Sequence, residues 1–327
     1  MRRRDFITLL GGTVAACPLA AHAQRPPVPV IGFLSLRTPE FDGPLLAELR
    51  RGLREAGYVE GQNFTIEFRF AGGQFDRLAP LAGDFVRRRV NLLVTSGGTA
   101  AAAAAKAATS TIPIVFAIGD DPVQFGLVAS LNRPGGNITG ATNFYGTLAA
   151  KQLGLLRELA PKTDTIGFLA NRNEPAYETQ IRDAQTAAKE VGQKLTVLIA
   201  STEADIDAAF TTLVQERAGA VLFGANPFYV TRSTQIFALA ARHSLPAIYW
   251  RTELAKAGGL MSYGAHPGEQ LRHAGVYAGR ILKGEKPADL PVIQPTKFEF
   301  VINLQTARAM QLEVPPTLLA RADVVIE

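Results

Sequence analysis

The sequence predicts an α/β protein of two Rossmann-like lobes joined by a multi-strand hinge. Three observations lead there. From Pro29 onward, short β-branched or apolar runs alternate with amphipathic stretches, the pattern of βαβ units around parallel sheets. The pattern completes one open α/β unit near Gly140 and begins again after a helix that starts at Leu148. The chain of 327 residues also exceeds the size at which one hydrophobic core keeps growing, so two lobes are expected.

In the first unit, residues 30–34 read as a buried strand. Residues 45–56 read as a helix ended by Gly57, a residue suited to the left-handed conformation past a helix end. Further strands are expected over 64–70, 91–95, 114–117 and 138–140, with helices over 78–88 and 99–107 between them. The second unit offers strands at 165–169, 194–199, 220–223 and 247–249 and helices at 148–159, 177–191, 205–216 and 231–243. Another strand is expected at 260–263, then a helix over 268–282 that returns to the first lobe, and a final strand at 298–302 that joins the second. The lobes are thus expected over 28–145 plus 265–292 and over 146–264 plus 293–327. The repetition is architectural, without the residue-level repeat of a solenoid. Two such lobes, with a cleft at the carboxyl ends of their strands, place a ligand between them.

The first residues read as an address label. Arg2, Arg3 and Arg4 form a charged region, residues 6–16 a short apolar run, and Ala21-His22-Ala23 gives the small-x-small pattern that a signal peptidase accepts, so the mature chain is expected to begin at Gln24. The apolar run is shorter than the roughly 20 residues that a membrane-spanning helix needs. Arg3-Arg4-Asp5-Phe6-Ile7 fits a twin-arginine export signal. Val14-Ala15-Ala16-Cys17 has the form of a lipoprotein signal, which would leave Cys17 acylated; cleavage after Ala23 is preferred. Cys17 is the single cysteine, so the folded body has no disulfide, thiol nucleophile or Cys-based metal site. Much of the net charge of +5 comes from that segment, where three arginines outnumber Asp5. The remainder is too dilute for a nucleic-acid footprint, which needs clustered Lys and Arg. Arg87-Arg88-Arg89 is the solvated end of a helix, where cations meet the negative end of the dipole. His22, His243, His266 and His273 show no metal-binding spacing, and neither a P-loop nor a G-x-S-x-G nucleophile motif is present.

Ser96-Gly97-Gly98-Thr99 follows a strand directly and precedes an alanine-rich helix. Free N–H groups at a helix start, glycines that admit a ligand and two hydroxyls make an anion site; a plain N-cap with a tight turn is the alternative. Asp121, in Asp120-Asp121-Pro122, stands past the next strand, either to meet a cationic group of the ligand or to cap the following turn. An anion at 96–99 and a cation at Asp121 together would select a zwitterion.

Asp121-Pro122-Val123, Gly126-Leu127-Val128, Ser130-Leu131, Arg133-Pro134-Gly135-Gly136-Asn137 and Thr139-Gly140 resemble the hallmark run of the ABC-transporter substrate-binding protein family that includes tryptophan- and tyrosine-binding lipoproteins. Gly57-Tyr58-Val59-Glu60-Gly61-Gln62-Asn63, Gly258-Gly259-Leu260-Met261-Ser262-Tyr263-Gly264 and Pro295-Thr296-Lys297-Phe298-Glu299 extend the resemblance over nearly the whole mature chain. It implies a type I periplasmic-binding-protein fold with ligand held by loops of both lobes. Ser35, Ser96, Gly97, Gly98, Thr99, Asp121 and Asn143 would then line the cleft from the first lobe, and Asn171, Asn226, Tyr249 and Trp250 from the second. Tyr249 and Trp250 could stack on a planar ligand, with ordinary lobe packing the alternative for Trp250. Asn171 and Asn226 could equally be turn formers. Where many relatives carry Pro-Asp after Tyr263-Gly264, this chain has Ala265-His266.

The function expected is the periplasmic solute-binding component of an ABC importer, binding an aromatic amino acid or related small carboxylate. It would need no cofactor, act as a monomer, and hand its ligand to a permease and its ATPase at the cytoplasmic membrane. The rival readings are an exported α/β enzyme acting on a small carboxylate and a ligand-sensing lobe pair without a DNA-binding part. The first lacks a nucleophile, metal or cofactor constellation, and the second is at odds with the export signal.

Overall fold

The computed structural model describes residues 28–294 and 297–327. The expected export segment 1–23, with Arg2 to Arg4, Cys17 and the junction at Gln24, lies outside the described residues, as does the Pro295-Thr296 pair.

In the first half, β1 (Val30–Ser35), α1 (Pro39–Glu55), β2 (Thr65–Phe70), α2 (Leu78–Arg87), β3 (Leu92–Ser96), α3 (Thr99–Ala108), β4 (Ile114–Ile118) and β5 (Ile138–Thr142) follow one another. They build an all-parallel sheet in the order β2-β1-β3-β4-β5. β3, β4 and β5 are buried along their whole length, as apolar strands covered by helices on both faces must be. α3 is almost entirely alanine, the residue of highest helix propensity, and its small side chains pack into one core with Leu93 and Phe116. α1 begins at Pro39, earlier than the expected Leu45. The fixed φ of Pro39 suits a first helical turn, and the added residues carry Asp42 into the protein, where it meets Arg37.

The second half runs α4 (Ala149–Leu159), β6 (Thr165–Ala170), α5 (Tyr177–Glu190), β7 (Lys194–Ile199), α6 (Glu203–Gln215), β8 (Ala220–Phe223), α7 (Pro227–Thr231), α8 (Ser233–Arg242), β9 (Ala247–Tyr249), α9 (Thr252–Lys256) and β10 (Met261–Ala265). After α10 (Pro267–Leu282), the tail adds β11 (Phe298–Asn303), α11 (Leu304–Ala309), α12 (Pro316–Leu319) and β12 (Val324–Ile326). The second sheet has the order β12-β11-β10-β9-β8-β6-β7, with β11 antiparallel to β10. Its run β7-β6-β8-β9-β10 repeats the order of the first sheet. Most boundaries fall within two residues of the sequence expectation. The elements not expected, α7, α9, α11, α12 and β12, are too short for a hydrophobic period to register. Local chemistry marks some starts clearly. At α6 the Thr202 hydroxyl accepts from Asp205 N (3.1 Å) while Asp205 accepts from Thr202 N (2.9 Å), a reciprocal capping box.

The chain crosses between the sheets after β5, after β10 and after α10. α10 packs on α1, and the two backbones meet at glycines: a Cβ on Gly52 would lie 1.9 Å from the Arg272 carbonyl, and one on Gly275 would lie 2.2 Å from that of Leu49. The returning segment then runs beside β5, where Ile293 N donates to Gly140 O and Thr142 N to Ile293 O, both at 2.9 Å. Three strands of chain thus tie the lobes together, the geometry of a hinge.

Candidate functional site

In each sheet the order reverses beside the first strand of the half, between β1 and β3 and between β6 and β8. Loops leaving the carboxyl ends of such strands part and leave a crevice. Here the two crevices face one another. Arg37 follows β1, Gly98 precedes α3, Glu174 follows β6, and Ala225, Asn226 and Pro227 follow β8; all border one cavity. Asp120 after β4, Tyr145 after β5, Trp250 and Arg251 after β9, and Gln270 of α10 complete it. The cavity measures about 30 Å³, room for a couple of water molecules and far below the 300 Å³ or more of a small-molecule pocket. The lobes are closed on each other. Gln124 Nε2 of the first donates to Thr179 Oγ1 of the second (2.9 Å), Phe41 and Phe75 pack on the second lobe's core, and a Cβ on Gly98 would lie 3.1 Å from Pro227.

Two carboxyl groups face this cavity. Asp120 Oδ2 accepts from the Thr99 hydroxyl (2.6 Å), and its Oδ1 has only a long approach from Gln180 Nε2 (3.5 Å). Burial raises its pKa to about 6 against the pull of those two bonds. Glu174 Oε2 accepts from Asn226 Nδ2 (3.1 Å), and the amides of Thr99 and Ala100 at the start of α3 face the same carboxyl. Burial, then the charge of Asp120, push Glu174 well above the usual carboxylate range. The turn that presents Glu174 is built by Asn171, whose Oδ1 accepts from Asn173 N (2.9 Å) and whose carbonyl accepts from Glu174 N (3.1 Å).

Two buried arginines line the same cavity. Arg37 donates through Nε to Asp42 Oδ1 (2.7 Å) and through Nη2 to Ser96 Oγ (2.6 Å); burial lowers its pKa, with Asp42 opposing. Arg251 has a weaker partner, Glu253, at 3.5 Å. Burial works against its charge, but Glu253, Tyr145 and Asp42 outweigh that and raise its pKa. Tyr145 and Trp250 border both this cavity and a smaller apolar recess floored by Phe168, Leu222 and Phe223. Asn143 donates to the Tyr145 hydroxyl (2.8 Å) and faces Gln270 Oε1 (3.4 Å), and Gln270 Nε2 donates to the carbonyls of Ile118 in β4 and Ala141 in β5. The cleft wall is therefore bonded to the helix that spans the hinge.

Residues 45–326 match the family model described as ABC transporter substrate binding protein. The chain belongs to that family. Among its relatives is a tyrosine-binding protein of Clostridioides difficile, 27% identical over 275 residues, which cover 83% of this chain and 78% of the relative. Among solved structures, a conserved domain protein of Vibrio cholerae superposes with a TM-score of 0.85 at 25% identity, over 91% of this chain and 99% of that one. The ABC domain of Streptococcus pneumoniae in complex with L-Trp superposes with a TM-score of 0.83 at 26% identity and the same coverage. The two-sheet build is that of type I periplasmic binding proteins.

Within this substrate-binding protein, the residues singled out from the sequence fall into three groups. Gly98, Asn226 and Trp250 line the cavity. Ser35, Ser96, Gly97, Thr99 and Asn143 stand one layer behind. Ser35 Oγ accepts from Arg37 N (3.1 Å), Ser96 and Thr99 hold Arg37 and Asp120, Gly97 lets the loop pass close to Leu36, and Asn143 holds Tyr145. The others serve turns or core. Asp121 Oδ1 accepts from Val123 N (2.9 Å), capping the turn at Pro122, and Asn171 closes the turn before Glu174. Tyr249 is buried between Phe223, stacked at 5.3 Å, and Phe237 at 5.4 Å. The α3 amides expected to meet a ligand anion receive Glu174 of the opposite lobe. Arg37, Asp120, Tyr145, Glu174, Arg251 and Gln270 were not singled out. The signal that could have found four of them is a charged side chain two to four positions past the end of a strand. At the departure Ala265-His266, the His266 Nδ1 accepts from Gly268 N (3.2 Å) and caps α10.

Proposed function

We propose that this substrate-binding protein works outside the cytoplasmic membrane, as a mature monomer beginning at Gln24, and that its ligand is an aromatic amino acid held between the lobes. The observation that carries the reading is the composition of the cleft: Tyr145 and Trp250 border a recess with Phe168, Leu222 and Phe223, and two carboxyl groups and two arginines line the same cavity. An aromatic ring gains burial and quadrupole complementarity between such faces, while charged groups of both signs suit a zwitterion. The tyrosine-binding relative and the L-Trp complex, each above a quarter identical, support the same ligand class.

The cavity of about 30 Å³ does not admit a tryptophan or tyrosine as it stands, so uptake requires the lobes to part about the three crossings and close again. Among the described residues no helix is long and apolar enough to cross a membrane, and delivery falls to separate permease and ATPase subunits of the importer. A thermal-shift screen followed by calorimetry tests the proposal. L-tryptophan, L-tyrosine or L-phenylalanine should raise the melting temperature in a saturable way, and aliphatic amino acids and myo-inositol should not. Preference for a non-aromatic solute would overturn the ligand class. N-terminal sequencing of the exported form checks the start at Gln24 against an acylated Cys17.

A further inference from the structure

The cleft contains an electrostatic imbalance that the protein does not itself resolve. Asp120 belongs to the first lobe and Glu174 to the second, yet both carboxyls face one cavity. Among the described residues, no lysine, arginine or histidine forms an ion pair with either. Glu174 is 2% exposed, and its Oε1 has no hydrogen-bond partner. Asp120 Oδ1 has only the 3.5 Å approach of Gln180. Each acid therefore has one oxygen held by protein donors and the other unpartnered or nearly so, and both residues line the cavity. Leaving buried acceptors in that state is costly unless a donor arrives from outside the chain.

We infer that Asp120 and Glu174 form a two-lobe receptor for a primary ammonium group, so that the ligand's own cation bridges the lobes. The inference rests on the cleft being the ligand site, as proposed above. An ammonium carries three donors and a compact charge, which suits two carboxyl groups presented to one cavity by different lobes. It also cancels the repulsion between the acids, so its binding favours the closed arrangement over the open one by differential contact. Arg251, with a single carboxylate partner at 3.5 Å, is placed to take an anionic group of the same ligand. The ligand class is thus an amine-bearing acid; a deaminated aromatic acid would bring the same ring and anion to the cleft and leave the acid pair unpaired.

The pair also predicts a proton count. Burial raises the pKa of both acids, and the charge of Asp120 adds to the rise at Glu174, whereas an arriving ammonium favours their charged forms and lowers both pKa values again. Ligand binding at pH 7 should release protons to the buffer.

The test uses the mature protein with Asp120→Asn and Glu174→Gln, and L-tryptophan, indole-3-propionate and tryptamine as probes. Both substitutions keep shape and remove charge, so neither should lower the melting temperature. Each should weaken L-tryptophan and tryptamine at least tenfold and leave indole-3-propionate within about threefold. Calorimetry in buffers of different ionisation enthalpy should show proton release on L-tryptophan binding to the wild type and little in Glu174→Gln. Equal losses for all three probes, or unchanged affinities, would overturn the receptor. A parallel thermal-shift panel of amino acids and their deaminated counterparts separates this inference from the aromatic reading. A non-aromatic amine that binds would overturn only the aromatic class. Binding confined to amine-free compounds, or to none of the panel, would overturn the ammonium receptor.

Discussion

Removing the Asp42 carboxylate should destabilise the protein severely, because it strands a buried cation. The Arg37 side chain is 5% exposed and that of Asp42 is 0% exposed, with Nη2 2.5 Å and Nε 2.7 Å from one carboxylate oxygen. The other group held by Arg37 is the neutral Ser96 hydroxyl, and the nearby charge of Arg251 acts against it. In Asp42→Ala the guanidinium keeps its burial and its repulsion and loses its counter-charge. Breaking a buried pair from one side costs about 3–5 kcal/mol. At roughly 2–4 °C per kcal/mol for a domain of this size, the melting temperature should fall by about 6–20 °C. Arg37→Met combined with Asp42→Leu should recover most of the loss, since apolar replacement of both partners is often neutral or better. Scanning calorimetry and urea unfolding on the wild type, the single and the double variant give the comparison. A single variant within about 1 kcal/mol of wild type, or a double variant as unstable as the single, would refute the argument. Ligand affinity supplies a separate readout: if Arg37 also attracts the ligand's anionic group, the double variant will be stable and bind weakly.

The pH dependence of stability should carry the mark of Asp120. Its pKa is about 6 in the folded protein against an ordinary 3.8, so the folded state holds the proton more tightly. Its contribution is complete below about pH 4 and is lost as pH rises through 6, at most about 3 kcal/mol; one edge of the residue opens on the cavity, which makes that an upper bound. Asp120→Asn should match the wild type near pH 4 and exceed it at pH 7 in urea midpoints, and the reverse order would refute the sign. Gly52→Ala should loosen the α1–α10 contact, because its Cβ would sit 1.9 Å from the Arg272 carbonyl. A loss of at least 1–3 kcal/mol is expected from such overpacking, measured by urea unfolding, and a neutral result would mean that the helices can separate freely.

The fold was legible because it is written in local signals, whereas the cleft is made of distant ones. Buried parallel strands are unbroken apolar runs, and Gly57 and the alanines of α3 mark helix ends and interiors within a few residues of themselves. The Asp120-Asp121-Pro122 triplet shows where such reading stops. Asp before Pro is a turn signature, so the capping role of Asp121 can be read locally. Nothing local says that Asp120 faces inward, because its carboxyl is held by Thr99, at the start of α3. The start of α3 was read as an anion site from its free amides, and a carboxylate does meet them. It belongs to Glu174, whose position depends on how one lobe lies against the other. Arg37, Asp120, Glu174 and Arg251 share one trait visible in the sequence: each is charged and follows the last residue of its strand by two to four positions. Polar residues at those positions, such as Ser35 and Asn171, close turns at little cost, since their side chains bond the neighbouring backbone. A charge there is different. It is carried into the crevice that the strand order creates, where water is scarce and desolvation must be offset by a partner. Arg37 has that partner within the chain, in Asp42. Glu174 is held by Asn226 but has no counter-charge among the described residues, and its Oε1 has no hydrogen-bond partner; a buried acid in that state is the group from which a ligand's chemistry can be inferred.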